Sequence, residues 1–176
     1  AQIAGVFRIS LLTDPVIKCM IESVQREGDV AMIVPRYYEN LTALHDNTMP
    51  ARAYYIPASV RMEDLVEHRE HSDRFQLLNG QWNFKYYESI YDVIEPFYEK
   101  GHDLSGFDSI SVPGVWQMEG YDTHQYTNIR YPFPFDPPYV PQDIPCGTYV
   151  HRFNYQKVEN APKAFLTFEG VDSCFY

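Results

Sequence analysis

The sequence predicts a mainly β protein, a sandwich of the jelly-roll kind preceded by an extended arm. Three observations carry this. Trp82, Phe84 and Tyr86 alternate with Gln81, Asn83 and Lys85, the period-2 mark of a strand with one buried face. Further short apolar runs follow, separated by Pro- and Gly-rich connections. Aromatic residues make up 16% of the 176 residues, with 15 Tyr and 11 Phe, a bias that suits broad rings on pleated surfaces.

Strands begin near Leu77, and Asn79-Gly80 is a turn signal just before the alternating stretch that starts at Gln81. Ile110 and Val112, alternating with Ser109 and Ser111, mark a second strand. Tyr149, Phe153 and Tyr155 share a face in a third, with His151 between them. Ala164-Phe165-Leu166-Thr167-Phe168 is apolar on both sides and reads as a fourth, central strand. No internal repeat is present.

The segments before residue 74 differ. In residues 1–31, Asp14, Pro15 and Gly28 are placed to start and end a helix with Val16, Ile17, Met20, Ile21 and Val24 on one face. A second reading competes. Codons for Arg26-Glu27-Gly28-Asp29 are purine-rich and can spell a ribosome-binding sequence roughly eight nucleotides before Met32, so residues 1–31 read as translated leader. Residues 32–73 read as an extended arm with a short helical linker. Pro35, Pro50 and Pro57 interrupt any helix, and Tyr37, Tyr38, Tyr54 and Tyr55 need a neighbouring surface to cover them. At the end of the arm, His68 and His71 stand three apart in a charge-dense run. No third ligand is evident, and the run reads as a solvated face without metal.

Composition excludes several function classes. A net charge of −10 has the wrong sign for a phosphate-binding surface, so nucleic acid is not an expected partner. No apolar run is long enough to span a bilayer, and no signal peptide is evident, so no membrane association is expected. Cys19, Cys146 and Cys174 form no metal or disulfide pattern and read as reduced thiols of a cytoplasmic protein.

The connection from Pro113 to Pro145 is the most informative stretch. Loops of this length in a compact domain are usually functional. It carries Trp116, Tyr121, Tyr126, Tyr131, Phe133, Phe135 and Tyr139 among prolines 132, 134, 137, 138 and 141. Prolines thin the unfolded ensemble, so a polar side chain such as Asn128 is held in one place, as recognition of a small polar ligand requires.

Here the residues resemble a family. Leu78-Asn79-Gly80-Gln81-Trp82-Asn83-Phe84 is similar to the strand that opens the sugar-binding domain of family 2 glycosidases. Val112-Pro113-Gly114-Val115-Trp116-Gln117-Met118-Glu119-Gly120-Tyr121-Asp122 resembles the family's VPxxWQxxGYD segment. Tyr126-Thr127-Asn128-Ile129-Arg130-Tyr131-Pro132, Pro137-Pro138-Tyr139-Val140-Pro141, Gly147-Thr148-Tyr149 and Phe168-Glu169-Gly170-Val171-Asp172-Ser173 follow in the family's order. The WQMxGYD and YTNxxYP forms point to the β-galactosidases. Tyr38-Glu39-Asn40 is similar to the WEN start of the long bacterial type, a shorter match.

The resemblance implies a galactose-binding-like β-sandwich over residues 74–176, incomplete at its C-terminal side. It implies a parent enzyme that hydrolyses terminal non-reducing β-D-galactose from β-galactosides such as lactose, with retention. Retention needs two carboxylates, and the family's two glutamates lie beyond Tyr176, so no catalytic residue is expected in this chain. Glu119 and Asp122 are expected to meet backbone or solvent. Asn128 matches the asparagine that the sandwich lends to the galactose pocket. An amide donates and accepts at once, as sugar hydroxyls require, without adding charge. Mg2+ and Na+ are implied for the full-length enzyme but not for this chain alone. A cation site near the arm would use Asn40, yet Tyr37 stands where an aspartate is expected. The arm implies a homo-oligomer. A stand-alone galactoside-binding module or a subunit-interface element are the alternative roles.

A sandwich that ends within a strand leaves edge groups unpaired and core uncovered. Residues 32–176 on their own are therefore expected to be marginally stable and to associate. A sharp cooperative melt of a monomeric species in calorimetry would refute this.

Overall fold

The computed structural model describes residues 6–11, 36–43, 45, 48–124, 133–155, 159–161, 163–172, 174 and 175. The helix expected over residues 15–28 lies outside them. Four strands form one sheet: β1 (Val6–Leu11), β2 (Gly80–Tyr87), β3 (Asp108–Val112) and β4 (Cys146–Phe153), in the order β1-β4-β2-β3. β2 pairs antiparallel with β3, Trp82 opposite Ile110, and with β4, Phe84 opposite Tyr149. β1 runs parallel to β4, with Val6 opposite Thr148 and Leu11 opposite Phe153. The class is mainly β, as the sequence predicts. Helical structure among the described residues is confined to single 3-10 turns, of which Arg69–His71 is the one in the linker.

The alternation of β2 is reproduced in its burial. Trp82 and Phe84 are buried while Gln81 is exposed. Directly opposed residues of antiparallel strands share a face, so Trp82, Phe84, Ile110 and Tyr149 lie on one side of the sheet. With Trp116 they make one core cluster. On the other face, Tyr87 opposite Cys146 belongs to a second cluster with Ile90, Val93, Phe97, Ile144 and Val150. The sheet is therefore covered on both sides. This explains why β4 is a weaker period-2 signal than β2. Of its even-numbered residues Cys146, Thr148 and Val150 are fully buried and only Arg152 is exposed, and on the odd-numbered face Gly147 is buried and Tyr149, His151 and Phe153 are half-buried.

One expected strand is corrected. Residues 164–168 form no strand, and Phe165 and Leu166 are exposed. A strand exists only where a neighbour pairs its backbone groups. β4 already has β1 on one side and β2 on the other, so an apolar run alone does not make residues 164–168 central. Gly80 also departs from the expected turn: it is the first residue of β2, at φ +132°, a conformation that favours glycine.

Specific contacts fold the arm on itself and tie it to segments outside the strands. The buried Ser72 donates its hydroxyl to the carbonyl of Pro57 and accepts the N–H of Arg74 at 3.1 Å. Asp73 accepts the N–H of Ser59 at 2.9 Å, and the Ser59 side chain together with that N–H holds its carboxyl below the usual range. Arg69 pairs with Glu169 and donates to the Tyr54 hydroxyl at 2.9 Å. Glu39 accepts the N–H of Val140 at 3.4 Å.

Gly147 sits in β4 directly beneath the aromatic cluster. A Cβ there would run into the rings of Trp116 and Phe84, both buried. Gly147→Ala should destabilise the domain by about 1–3 kcal/mol through overpacking. The chain's two tryptophans, Trp82 and Trp116, both lie in this cluster, so the shift reads out as a lower denaturation midpoint in tryptophan fluorescence.

Candidate functional site

The long connection leaves β3 at the cis peptide Val112-Pro113 and enters a 3-10 turn, Trp116–Glu119. Trp116 points back into the core. Its ring meets Tyr86 edge-on at 5.8 Å and Phe84 at 5.9 Å. Gly120, left-handed at φ 93°, ends the turn, and the N–H of Tyr121 bonds the Trp116 carbonyl at 3.1 Å. That reversal carries the Tyr121 ring over the sheet. It meets Phe84 edge-on at 4.9 Å and stacks on Tyr86 at 5.8 Å. Its hydroxyl donates to Asp108 on β3 at 2.7 Å. Tyr149 completes the cluster against Phe84 at 4.7 Å.

The far end of the connection is anchored as well. Ser89 donates to the Gln142 carbonyl at 2.6 Å, and the N–H of Ile90 bonds the Ile144 carbonyl at 3.1 Å. Tyr139 closes a turn to Asp136 at 2.8 Å, beside the cis peptide Pro137-Pro138. The segments on either side, 113–124 and 133–145, are thus tied to β2, β3 and β4. Asn128, the one substrate-binding residue expected from the sequence, lies between them and outside the described residues.

Glu119 is exposed, and Asp122 accepts the N–H of Thr123 at 2.7 Å. They meet solvent and backbone and are not brought together as an acid/base pair. The arm does not fit the cation site that the resemblance implies. The Asn40 side-chain oxygen accepts from the Thr42 N–H at 3.0 Å and the Thr42 hydroxyl at 2.7 Å, and Tyr37 offers no carboxylate. Hard cations require oxygen-rich sets of six or more ligands, and this turn supplies no such set. A hollow of about 470 Å³ opens elsewhere on the arm, between Tyr54, Tyr55, Ile56, Val66 and Arg69.

Two groupings escape sequence reasoning. Asp108 as partner of Tyr121 has no local signal, because 13 residues separate them. Glu70 stands between the two histidines in sequence, yet only the 3-10 turn brings its carboxylate to them.

The motifs at residues 78–84, 112–122 and 147–149 share one aromatic platform, and the comparison with known sequences decides what it belongs to. Residues 75–176 match the family signature described as "Glycosyl hydrolases family 2, sugar binding domain". The chain belongs to glycosyl hydrolase family 2. Among relatives of the family 2 domain, the chain is 46% identical over 145 residues to a β-galactosidase of Actinobacillus pleuropneumoniae. It is 40% identical over 146 residues to one of Staphylococcus xylosus, and 33% identical over 147 residues to one of Priestia megaterium. These alignments cover 81–82% of the chain and 14% of each relative. The family 2 chain therefore spans about one seventh of the length of these enzymes. No helix among the described residues is long and apolar enough to cross a membrane.

The platform has a measurable electrostatic signature. The bond to Asp108, followed by burial, pushes the Tyr121 phenol up to about 12. Burial pushes Tyr149 up to about 12 and also raises Tyr38, Tyr86 and Tyr87. A raised acid pKa means the folded state keeps its proton longer than the unfolded state. The stability these phenols contribute is complete below pH 10 and is lost as pH rises from 10 towards 12. Phenolate absorbance should accordingly lag for these tyrosines and appear only as the domain unfolds. Tyr121→Phe should remove one late-titrating group. A single early titration of all tyrosines near pH 10 would contradict this.

Proposed function

We propose that this chain is the sugar-binding portion of a β-galactosidase that releases terminal non-reducing β-D-galactose from β-galactosides such as lactose, with retention. The observation that carries the reading is 46% identity to an enzyme of that name across most of the chain. The division of labour follows from chemistry. A retaining enzyme needs a nucleophilic carboxylate and an acid about 5–5.5 Å apart, whereas Asp122 bonds backbone and Glu119 meets solvent. The catalytic glutamates, and the residues for the Mg2+ and Na+ expected in the full-length enzyme, are assigned to the remainder of the protein. The fragment alone is inactive in this reading.

Asn128 is the residue proposed to reach the sugar. Support comes from its place in the Tyr126–Pro132 motif and from the anchoring of both flanking segments to the sheet. A loop held at both ends presents an amide without a large ordering cost on binding. The jelly-roll sandwich of residues 74–176, the arm of residues 32–73 and the leader of residues 1–31 complete the proposed organisation. A cytoplasmic location is proposed from the three widely spaced cysteines, which carry no metal or disulfide pattern in sequence. Exposed Tyr54 and Tyr55 on the arm favour a second role as an interface between subunits of a homo-oligomer.

Asn128→Ala in the full-length enzyme should lower kcat/KM for lactose by about tenfold or more, the cost of one lost polar contact to the sugar, with little change in Tm. Wild-type kinetics in that variant would overturn the assignment.

A further inference from the structure

We propose that His68, Glu70 and His71 form a surface site for a borderline divalent transition metal, with Zn2+ as its representative. The sequence reading assigned no metal here because no third ligand was evident. In the structure the ligand atoms of these three residues all lie within 4.8 Å of one another. Two imidazoles and a carboxylate suit Zn2+, Ni2+ or Cu2+, and not Mg2+ or Na+, which prefer oxygen sets.

The surroundings prepare the ligands. Nδ1 of His71 lies 2.8 Å from the carboxylate of Asp64, which is outside the ligand set. A carboxylate at Nδ1 leaves Nε2 with the lone pair, the arrangement that orients and strengthens a metal-bound imidazole. The His68 N–H also bonds the Asp64 carbonyl at 2.8 Å, so the orienting residue and the turn are one unit. The rings stack with centroids 4.9 Å apart. All three side chains are exposed, so His68 and Glu70 have room to close to metal bond lengths of about 2.0–2.1 Å while Asp64 holds His71.

Position suggests the consequence. Arg69, inside the same turn, holds Tyr54 of the arm and Glu169 near the other end of the chain, and lies over Phe75. A metal on this turn acts as a clip on the arm. The test is calorimetric titration of Zn2+ into the full chain with any affinity tag removed, in the presence of millimolar Mg2+. The wild type should take up one Zn2+ that His68→Gln with His71→Gln loses. Each single change should weaken it by at least about tenfold, and Asp64→Asn by about tenfold through the lost orientation of His71. Zn2+ should also slow proteolysis within residues 50–74 of the wild type and not of the double variant. Unchanged Zn2+ uptake in the double variant, no uptake by the wild type, or displacement by Mg2+ would each overturn the proposal.

Discussion

The structure depends on the packing of aromatic rings against the backbone of β4 at Gly147. With no side chain there, Trp116 and Phe84 approach the strand closely, and Tyr86, Tyr121 and Tyr149 fit around them. Rings of this size bury large apolar areas and prefer tilted or edge-on contacts, both of which are present here. The consequence is directional. Trp116 and Tyr121 belong to the loop, so the contact that completes one core also sets where the loop leaves the sheet. The start of the loop that carries Asn128, the residue proposed to reach the sugar, is therefore set by a core interaction.

The second core serves another purpose. Ile90, Val93 and Phe97, in the segment after β2, cover the opposite face with Ile144 and Cys146. The Ser89 side chain accepts the N–H of Tyr91, and Asp92 reaches back to the Ser89 N–H, a reciprocal cap that sets the turn. The same serine fastens Gln142. One short capped turn thus joins the covering segment to the end of the long loop.

How much of this was legible in the sequence depended on whether the signal was local. β2 was legible because its two faces differ, and β3 because Ile110 stands between serines. β4 was legible as a strand from Tyr149 and Phe153, but the burial of Cys146, Thr148 and Val150 on its other face was not, because both faces are covered. Residues 164–168 were misread because apolarity reports a wish for burial and not the presence of a pairing neighbour. The His68–His71 spacing was visible, whereas its third ligand depended on a turn conformation. Asn128 was reached through the family motif alone, since nothing in one asparagine distinguishes a ligand from a turn residue. The bond from Tyr121 to Asp108 could not be read at all, because it follows from the fold of the intervening chain.

The parallel pairing of β1 with β4 bears on how the chain is made. Ribosomes deliver residues 6–11 first and residues 146–153 last among the strands. The β2–β3 and β2–β4 pairings involve strands closer in sequence, and loop closure favours such contacts early. β1 therefore emerges with its pairing groups unsatisfied and waits for β4 to be made. Over that interval its backbone groups are open to mispairing with neighbouring chains, and the arrival of β4 ends the exposure.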